Sequence, residues 1–150
     1  HGLSRVTGYA APSPVQPQAS LQAGFAGRME LAGADVAGAA APGSVLTVTL
    51  YWTPLSPMAE DYHTFVQLVD AGGGRVQGSD HRPGDVFYPT SAWRTGDVLA
   101  DRHTLALPAA LPAGDYALLA GVYSYPALTR LTVDGGQETT VRVATVRVGP

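Results

Sequence analysis

The chain has 150 residues, no cysteine and a formal net charge of −3. Its length suits one domain with a core large enough to stand without staples. Disulfides and thiolate metal sites are excluded, and the acidic balance argues against nucleic acid or anionic lipid as a partner.

Residues 1–22 hold Pro12, Pro14 and Pro17 among Ala, Ser and Gln, the composition of a linker or loosely packed arm. The folded domain is expected over 23–150. No apolar run approaches the ~18–20 residues of a membrane-spanning helix, and the opening His-Gly-Leu-Ser-Arg lacks the apolar stretch of a signal peptide, so the sequence predicts a soluble chain. A start at His1 without Met points to processing or excision from a longer protein.

From Phe25 onward, apolar residues alternate at period two, broken by Gly and Pro. Phe25 to Val36 reads as a first strand region. After the Pro42-Gly43 turn, Ser44 to Trp52 is the clearest strand, with Leu46, Val48, Leu50 and Trp52 on one face. Tyr62 to Asp70 follows, and Gly72-Gly73-Gly74 turns it back into Arg75 to Ser79 as a hairpin. Residues 80–96 form the longest loop, expected to be ordered and to pack across one end of the domain. Asp97 to Leu107, Asp115 to Ser124, a short Leu128 to Val133 and Thr139 to Val148 complete the series. The apolar phase of the last strand slips between Val143 and Val146, which predicts a β-bulge near Ala144. Ala32 to Ala41 is Ala-rich, but Gly33, Gly38 and Pro42 argue against a helix there. About eight short strands at this spacing predict an all-β, two-sheet antiparallel sandwich of jelly-roll or immunoglobulin-like type.

The residues that bear chemistry do not assemble into a recognisable catalytic set. No Gly-x-Ser-x-Gly frames a nucleophile, and the glycine run lacks the Gly-Lys-Ser/Thr ending of a phosphate loop. His63, His81 and His103 each lie near an aspartate (Asp61, Asp80 and Asp101), yet no pair has a diagnostic metal-ligand spacing, so neither metal nor cofactor is expected. An N-terminal His1 is a known way to chelate copper, but here it opens the Pro-rich arm with no partner nearby in sequence. Asp70, Asp115 and Asp134 read as turn residues.

The aromatic residues suggest a ligand. Tyr88 and Trp93 fall in the long loop and Tyr125 just past a strand end, and exposed aromatic faces stack on sugar rings. The alternative, which the apolar content of the loop favours, is that Tyr88 and Trp93 turn inward and fill the end of the sandwich. Asp80 and Asp101 flank the loop and are expected to accept backbone N–H bonds within it. Tyr88, Trp93, Asp80, Asp101, Tyr125 and Arg130 are therefore the candidate ligand-binding residues.

The order of these pieces carries a resemblance. Leu50-Tyr51-Trp52 and Asp61-Tyr62-x-x-Phe65-Val66-Gln67-Leu68 precede Asp80-x-x-Pro83 and Tyr88-Pro89-Thr90-Ser91-x-Trp93-x-x-Gly96. Asp101, Leu107-Pro108, Leu111-Pro112-x-Gly114-x-Tyr116, Gly121-x-Tyr123 and Arg130-Leu131 follow. Over residues 25–148 the chain resembles the soluble C-terminal β-sandwich of multi-spanning bacterial glycosyltransferases of the dolichyl-phosphate-mannose mannosyltransferase type. The resemblance implies a non-catalytic, extracytoplasmic accessory domain, tethered through residues 1–22 to the membrane-embedded part of a parent polypeptide. The catalytic residues of that family map onto no position of this chain. A free-standing carbohydrate-binding module is the alternative that the aromatics support, and a His1-dependent copper protein a third. Separately, Pro112-x-Gly114-x-Tyr116 has the form of a tyrosine corner, in which the hydroxyl ties back to backbone.

Overall fold

The computed structural model describes residues 22–83, 89–125 and 127–149. The expected arm at 1–22 lies almost entirely outside them, as do His1 and residues 84–88 of the long loop, Tyr88 included.

Among the described residues, eight strands form two antiparallel sheets. They are β1 (Ala23–Phe25), β2 (Met29–Ala37), β3 (Val45–Pro54), β4 (Tyr62–Val69), β5 (Arg75–His81), β6 (Leu99–Ala106), β7 (Gly114–Ser124) and β8 (Val141–Val148). The first sheet has the order β1-β2-β3-β6 and the second β5-β4-β7-β8. The fold is thus the two-sheet sandwich that the alternating pattern predicts. Among the described residues no helix is long and apolar enough to cross a membrane.

Alternation decides which residues meet between the sheets. From the first sheet come Met29, Leu31, Leu46, Val48, Leu50, Trp52 and Leu105, all at 0% exposure; Val66, Leu68, Leu118, Ala120 and Val122 face them from the second. Phe25 meets the Trp52 ring edge-on, with centroids 5.6 Å apart. Burying each such side chain is worth roughly 1.5–3 kcal/mol, so this layer dominates the stability of the domain.

Several local expectations hold. Asp70 closes the β4–β5 hairpin by accepting from the Gly72 and Gly74 N–H groups at 3.0 and 2.8 Å. Tyr116 donates to the Pro112 carbonyl at 2.6 Å, which makes the tyrosine corner. Leu118 pairs with Ala144 and Leu119 with Arg142, so Val143 is the extra residue of a bulge in β8. The bulge lets Val143 and Ala144 both face inward, which accounts for the slip in phase.

Other expectations need correction. Phe25 to Val36 is two strands: Ala26 and Gly27 take positive φ (51° and 66°) and turn the chain between β1 and β2. Asp115 is in β7 and pairs with Arg147 on β8 at 3.0 Å, so it is not a turn residue. Leu128 to Val133 forms no strand. It makes two isolated bridges, Arg130 to Tyr123 in the second sheet and Val133 to Phe25 in the first, and so ties the sheets together along one side. A segment that changes sheets within three residues cannot sustain a ladder in either.

Candidate functional site

Two polar constellations stand out, one inside the sandwich and one on its surface. The interior one lies where the edge strands β5 and β6 face each other. In β6, Asp101, His103 and Leu105 alternate inward while Arg102 and Thr104 face solvent. In β5, Ser79 and His81 pair with Val66 and Thr64 and point the same way. Asp101 is the hub. Its Oδ1 lies 2.6 Å from His81 Nε2; its Oδ2 accepts from Trp52 Nε1 at 3.0 Å, lies 3.2 Å from His103 Nε2 and accepts the Thr64 hydroxyl. His103 Nδ1 meets Ser79 Oγ at 2.9 Å. An Nε2–H imidazole with Nδ1 accepting from Ser79 satisfies these groups together.

Among the described residues Asp101 therefore caps no backbone donor of the long loop, contrary to what the sequence suggests. It gathers side chains from both sheets, because an inward carboxylate on an edge strand lies nearer the opposing strand than the loop. Burial pushes its carboxyl up, but the hydrogen bonds from His103, His81 and Thr64 outweigh this and hold it below the usual carboxylate range. The hydrogen bond to Asp101 raises His81 above its ordinary 6.5, against the opposing effect of burial.

His81, Asp101 and His103 place their ligand atoms within 4.8 Å of one another, a grouping that sequence spacing did not reveal. The imidazoles, however, stack face to face, 3.9 Å apart and 12° from parallel. A metal lies in the plane of each imidazole at ~2.0–2.1 Å, and two nearly parallel planes share no such point. The rings dock instead on the two oxygens of one carboxylate. Ser79, His103 and Asp101 are linked in the order of a nucleophile relay, but His103 is 0% exposed, so its ring nitrogens have no path for passing a proton to a leaving group outside the sandwich.

The signs of the two shifts fix a pH response. His81, raised in the folded state, stabilises fully below its unfolded value near 6.5 and loses that contribution as pH rises through its folded value. Asp101, held low, stabilises above the ordinary carboxylate value and loses its contribution as pH falls toward its folded value. His63, lowered by burial, opposes His81 over the same interval, so the His81 contribution is read as the thermal midpoint of the wild type minus that of His81→Gln, which keeps a donor toward Asp101 but does not titrate. That difference is expected to be larger near pH ~5.5 than near pH ~8.5, and both midpoints are expected to fall in strong acid. A difference that is level across that interval contradicts this assignment.

The surface constellation occupies the outer face of the second sheet. His63, Phe65 and Gln67 point outward from β4; Gly121 and Tyr123 lie opposite Phe65 and His63 on β7, and Asp80 and Gly78 opposite Phe65 and Gln67 on β5. The Arg130 bridge to Tyr123 brings that arginine to the same face, with its guanidinium 4.5 Å over the Phe65 ring. Phe65, though outward-facing, is 4% exposed beneath this cover. A cleft of about 240 Å³ opens between Arg75, Gly78, Asp80, Gln67, Tyr123 and Arg130, with Leu128 at its rim.

Aromatic faces continue alongside. Tyr125, half exposed, stacks on His63 at 4.4 Å and 14°, and Tyr123 is tilted against His63 at 5.3 Å. The Tyr123 hydroxyl donates to Asp80 at 3.3 Å and lies 3.3 Å from His63 Nδ1. Burial, helped by the Arg82 charge, lowers His63 and favours its neutral form, suited to stacking. Burial and then the Asp80 charge raise Tyr123, which stays a neutral donor.

The candidate ligand residues therefore divide. Asp80, Tyr125 and Arg130 converge on the outer face, whereas Asp101 is interior. Trp93 is 5% exposed within the core, so it offers no stacking surface. A 3₁₀ turn at Thr90–Ala92 leads into it, pinned where the Tyr62 N–H donates to Thr90 Oγ1 at 2.9 Å and the Thr90 hydroxyl donates to the Glu60 carbonyl at 2.8 Å. This described end of the long loop does pack against the sandwich. Gln67, Tyr123, His63 and Arg75 also belong to the outer face, and none of them is a glycan-binding candidate from the sequence alone; the signal for the first three is the outward phase of β4 and β7, whereas Arg75 reaches the face from β5 by lying across Gly78.

No protein-family model matches the chain, and no curated protein matches it. Among solved structures it is similar to the C-terminal domain of Wzt, with a TM-score of 0.56 and 12% identity over 95% of this chain and 84% of that one. A Niemann-Pick type C2 protein from Japanese carpenter ant aligns at a TM-score of 0.46 and 11% identity, over 89% of this chain and 98% of that one. The first likeness is one of fold; the second is too weak to carry an argument.

Proposed function

We propose that this domain is a non-catalytic, extracytoplasmic accessory module that binds glycan on the outer face of its second sheet. In this reading it is tethered to the membrane-embedded part of a parent glycosyltransferase and presents acceptor or product to it. The observation that carries the binding function is the outer-face cleft, where an exposed aromatic stack borders a concavity lined by side chains that hydrogen-bond. Sugar rings need both: an apolar C–H face to lie on an aromatic ring, and planar polar groups such as Gln67, Asp80 and Arg130 to bond paired hydroxyls. The resemblance in residue order supports the glycosyltransferase context.

The test is a glycan array followed by calorimetry. Tyr125→Ala is expected to weaken binding about 5–30-fold, the range for removing one aromatic anchor worth ~1–2 kcal/mol, and to leave the melt nearly unchanged because the ring is half exposed. Full affinity in that variant would remove the stack from the site. The same cleft serves a free-standing carbohydrate-binding module, and the reading frame that encodes the domain separates the two: fusion to membrane spans supports the accessory role.

A further inference from the structure

We propose that the glycan taken by this cleft is acidic, with its anionic group held between Arg75 and Arg130. The proposal rests on the glycan-binding reading above and names the class of sugar. The chain as a whole carries −3, yet the cleft is lined by two guanidinium groups and one carboxylate, Asp80. Among the described residues no carboxylate forms an ion pair with either arginine. Both side chains are exposed, and each is positioned by something other than an acid.

Arg130 is laid over Phe65 by a cation–π contact at 4.5 Å. Among the described residues no carboxylate takes up its N–H edge, the edge that grips a carboxylate or phosphate with two parallel bonds. Arg75 lies across Gly78, where an added Cβ would stand 2.4 Å from its Nη2. Gly78 thus acts as a notch that lets the guanidinium lie down along the cleft wall. Two cations lining one concavity repel each other, and an anion placed between them relieves that repulsion while gaining charge-assisted hydrogen bonds. Asp80, already accepting from Tyr123, is oriented to take sugar hydroxyls beside the anion. A uronate carboxylate and a phosphate substituent share the required chemistry.

The experiment measures binding of the full chain to matched pairs: trigalacturonate against its methyl ester, and mannose 6-phosphate against mannose. At least one acidic member is expected to bind ten-fold or more tightly than its neutral partner, and the stronger pair identifies the anion as carboxylate or phosphate. Arg75→Gln is expected to remove most of that preference, by weakening the acidic member far more than the neutral one, and to leave the melt unchanged, because Arg75 is exposed. Raising the salt is expected to weaken the acidic member alone. Arg130→Lys keeps the charge but loses the two-bond fork, and is expected to lower the preference several-fold. Equal binding within both pairs overturns the acidic assignment while glycan binding stands. If these probes give no binding and a glycan array gives neutral ligands alone, the acidic assignment again falls and the glycan reading survives; no glycan at all overturns both. A preference unchanged in Arg75→Gln and Arg130→Lys would place the anion elsewhere and overturn the proposal.

Discussion

Asp101→Ala is expected to cost the domain about 3–5 kcal/mol, a fall in thermal midpoint of roughly 10–20 °C for a domain of this size. The carboxylate is 3% exposed and serves donors from three strands besides its own: Trp52 on β3, Thr64 on β4 and His81 on β5. Removing it strands Trp52 Nε1 in a dry interior and leaves the Thr64 hydroxyl and His103 Nε2, 3.0 Å apart, with only each other, because Trp52, Thr64 and His103 are all at 0% exposure. Each unpaired group costs about 1–3 kcal/mol. His81 escapes part of the penalty, since its side chain is 39% exposed and can turn to water. Replacing the network wholesale, with Thr64→Val, Asp101→Leu and His103→Leu together, is expected to cost less than Asp101→Ala alone, because the indole N–H is then the one fully buried donor of the network left unpaired, while Ser79 and His81 are partly exposed and can turn to water. Urea titration of the single and triple variants gives both numbers. A single variant that melts like the wild type would show that Asp101 does not organise the interior.

Gly121→Val is expected to destabilise the domain by about 2–3 kcal/mol and to abolish binding at the outer face. Gly121 sits directly opposite Phe65 in the β4–β7 ladder, and the aromatic ring lies over its Cα. An added Cβ would stand 2.3 Å from Phe65 Cζ, 2.6 Å from Cε2 and 2.7 Å from the Thr139 carbonyl oxygen. The ring can swing outward, but the carbonyl belongs to the backbone and cannot, so the strand itself must shift. When the ring moves it takes its partner with it, for Arg130 rests on that ring. The floor and one wall of the cleft are lost together. Gly121→Ala combined with Phe65→Ala is expected to recover part of the stability, since the ring clash is gone, and none of the affinity. Retained affinity in Gly121→Val would show that the cleft is not where ligand binds.

Much of this architecture was legible beforehand. Period-two alternation placed the inner faces of β3, β4 and β7, and the phase slip in β8 located the bulge to within a residue of Val143. The Pro-x-Gly-x-Tyr spacing produced the hydrogen bond from Tyr116 to Pro112. The inward facing of Asp101 and His103 was also there to read, since both share the phase of Leu105. What alternation could not supply was the opposing strand. His81 was paired with its neighbour Asp80, yet successive residues of a strand point to opposite faces, and His81 meets Asp101 across the sandwich. The outer cleft was hidden for the same reason. That Phe65 covers Gly121 depends on the β4–β7 register, and Arg130 reaches both because residues 128–133 leave one sheet for the other. Trp93 was drawn outward in one reading by its place in a long loop, whereas the bonds of Thr90 to the start of β4 carry it into the core.

Strand β5 divides its labour by parity. Ser79 and His81 are bound into the interior network, while Gly78 and Asp80, one residue away, face the cleft. A ligand there meets a wall whose position is already fixed from behind, so little ordering remains to be done on binding. For an engineer the two sets are separable. Randomising Arg75, Gly78 and Asp80 with Gln67 and Tyr123 yields a library in which recognition varies over a constant interior, and the strand becomes a cassette whose specificity can be rewritten without refolding the domain.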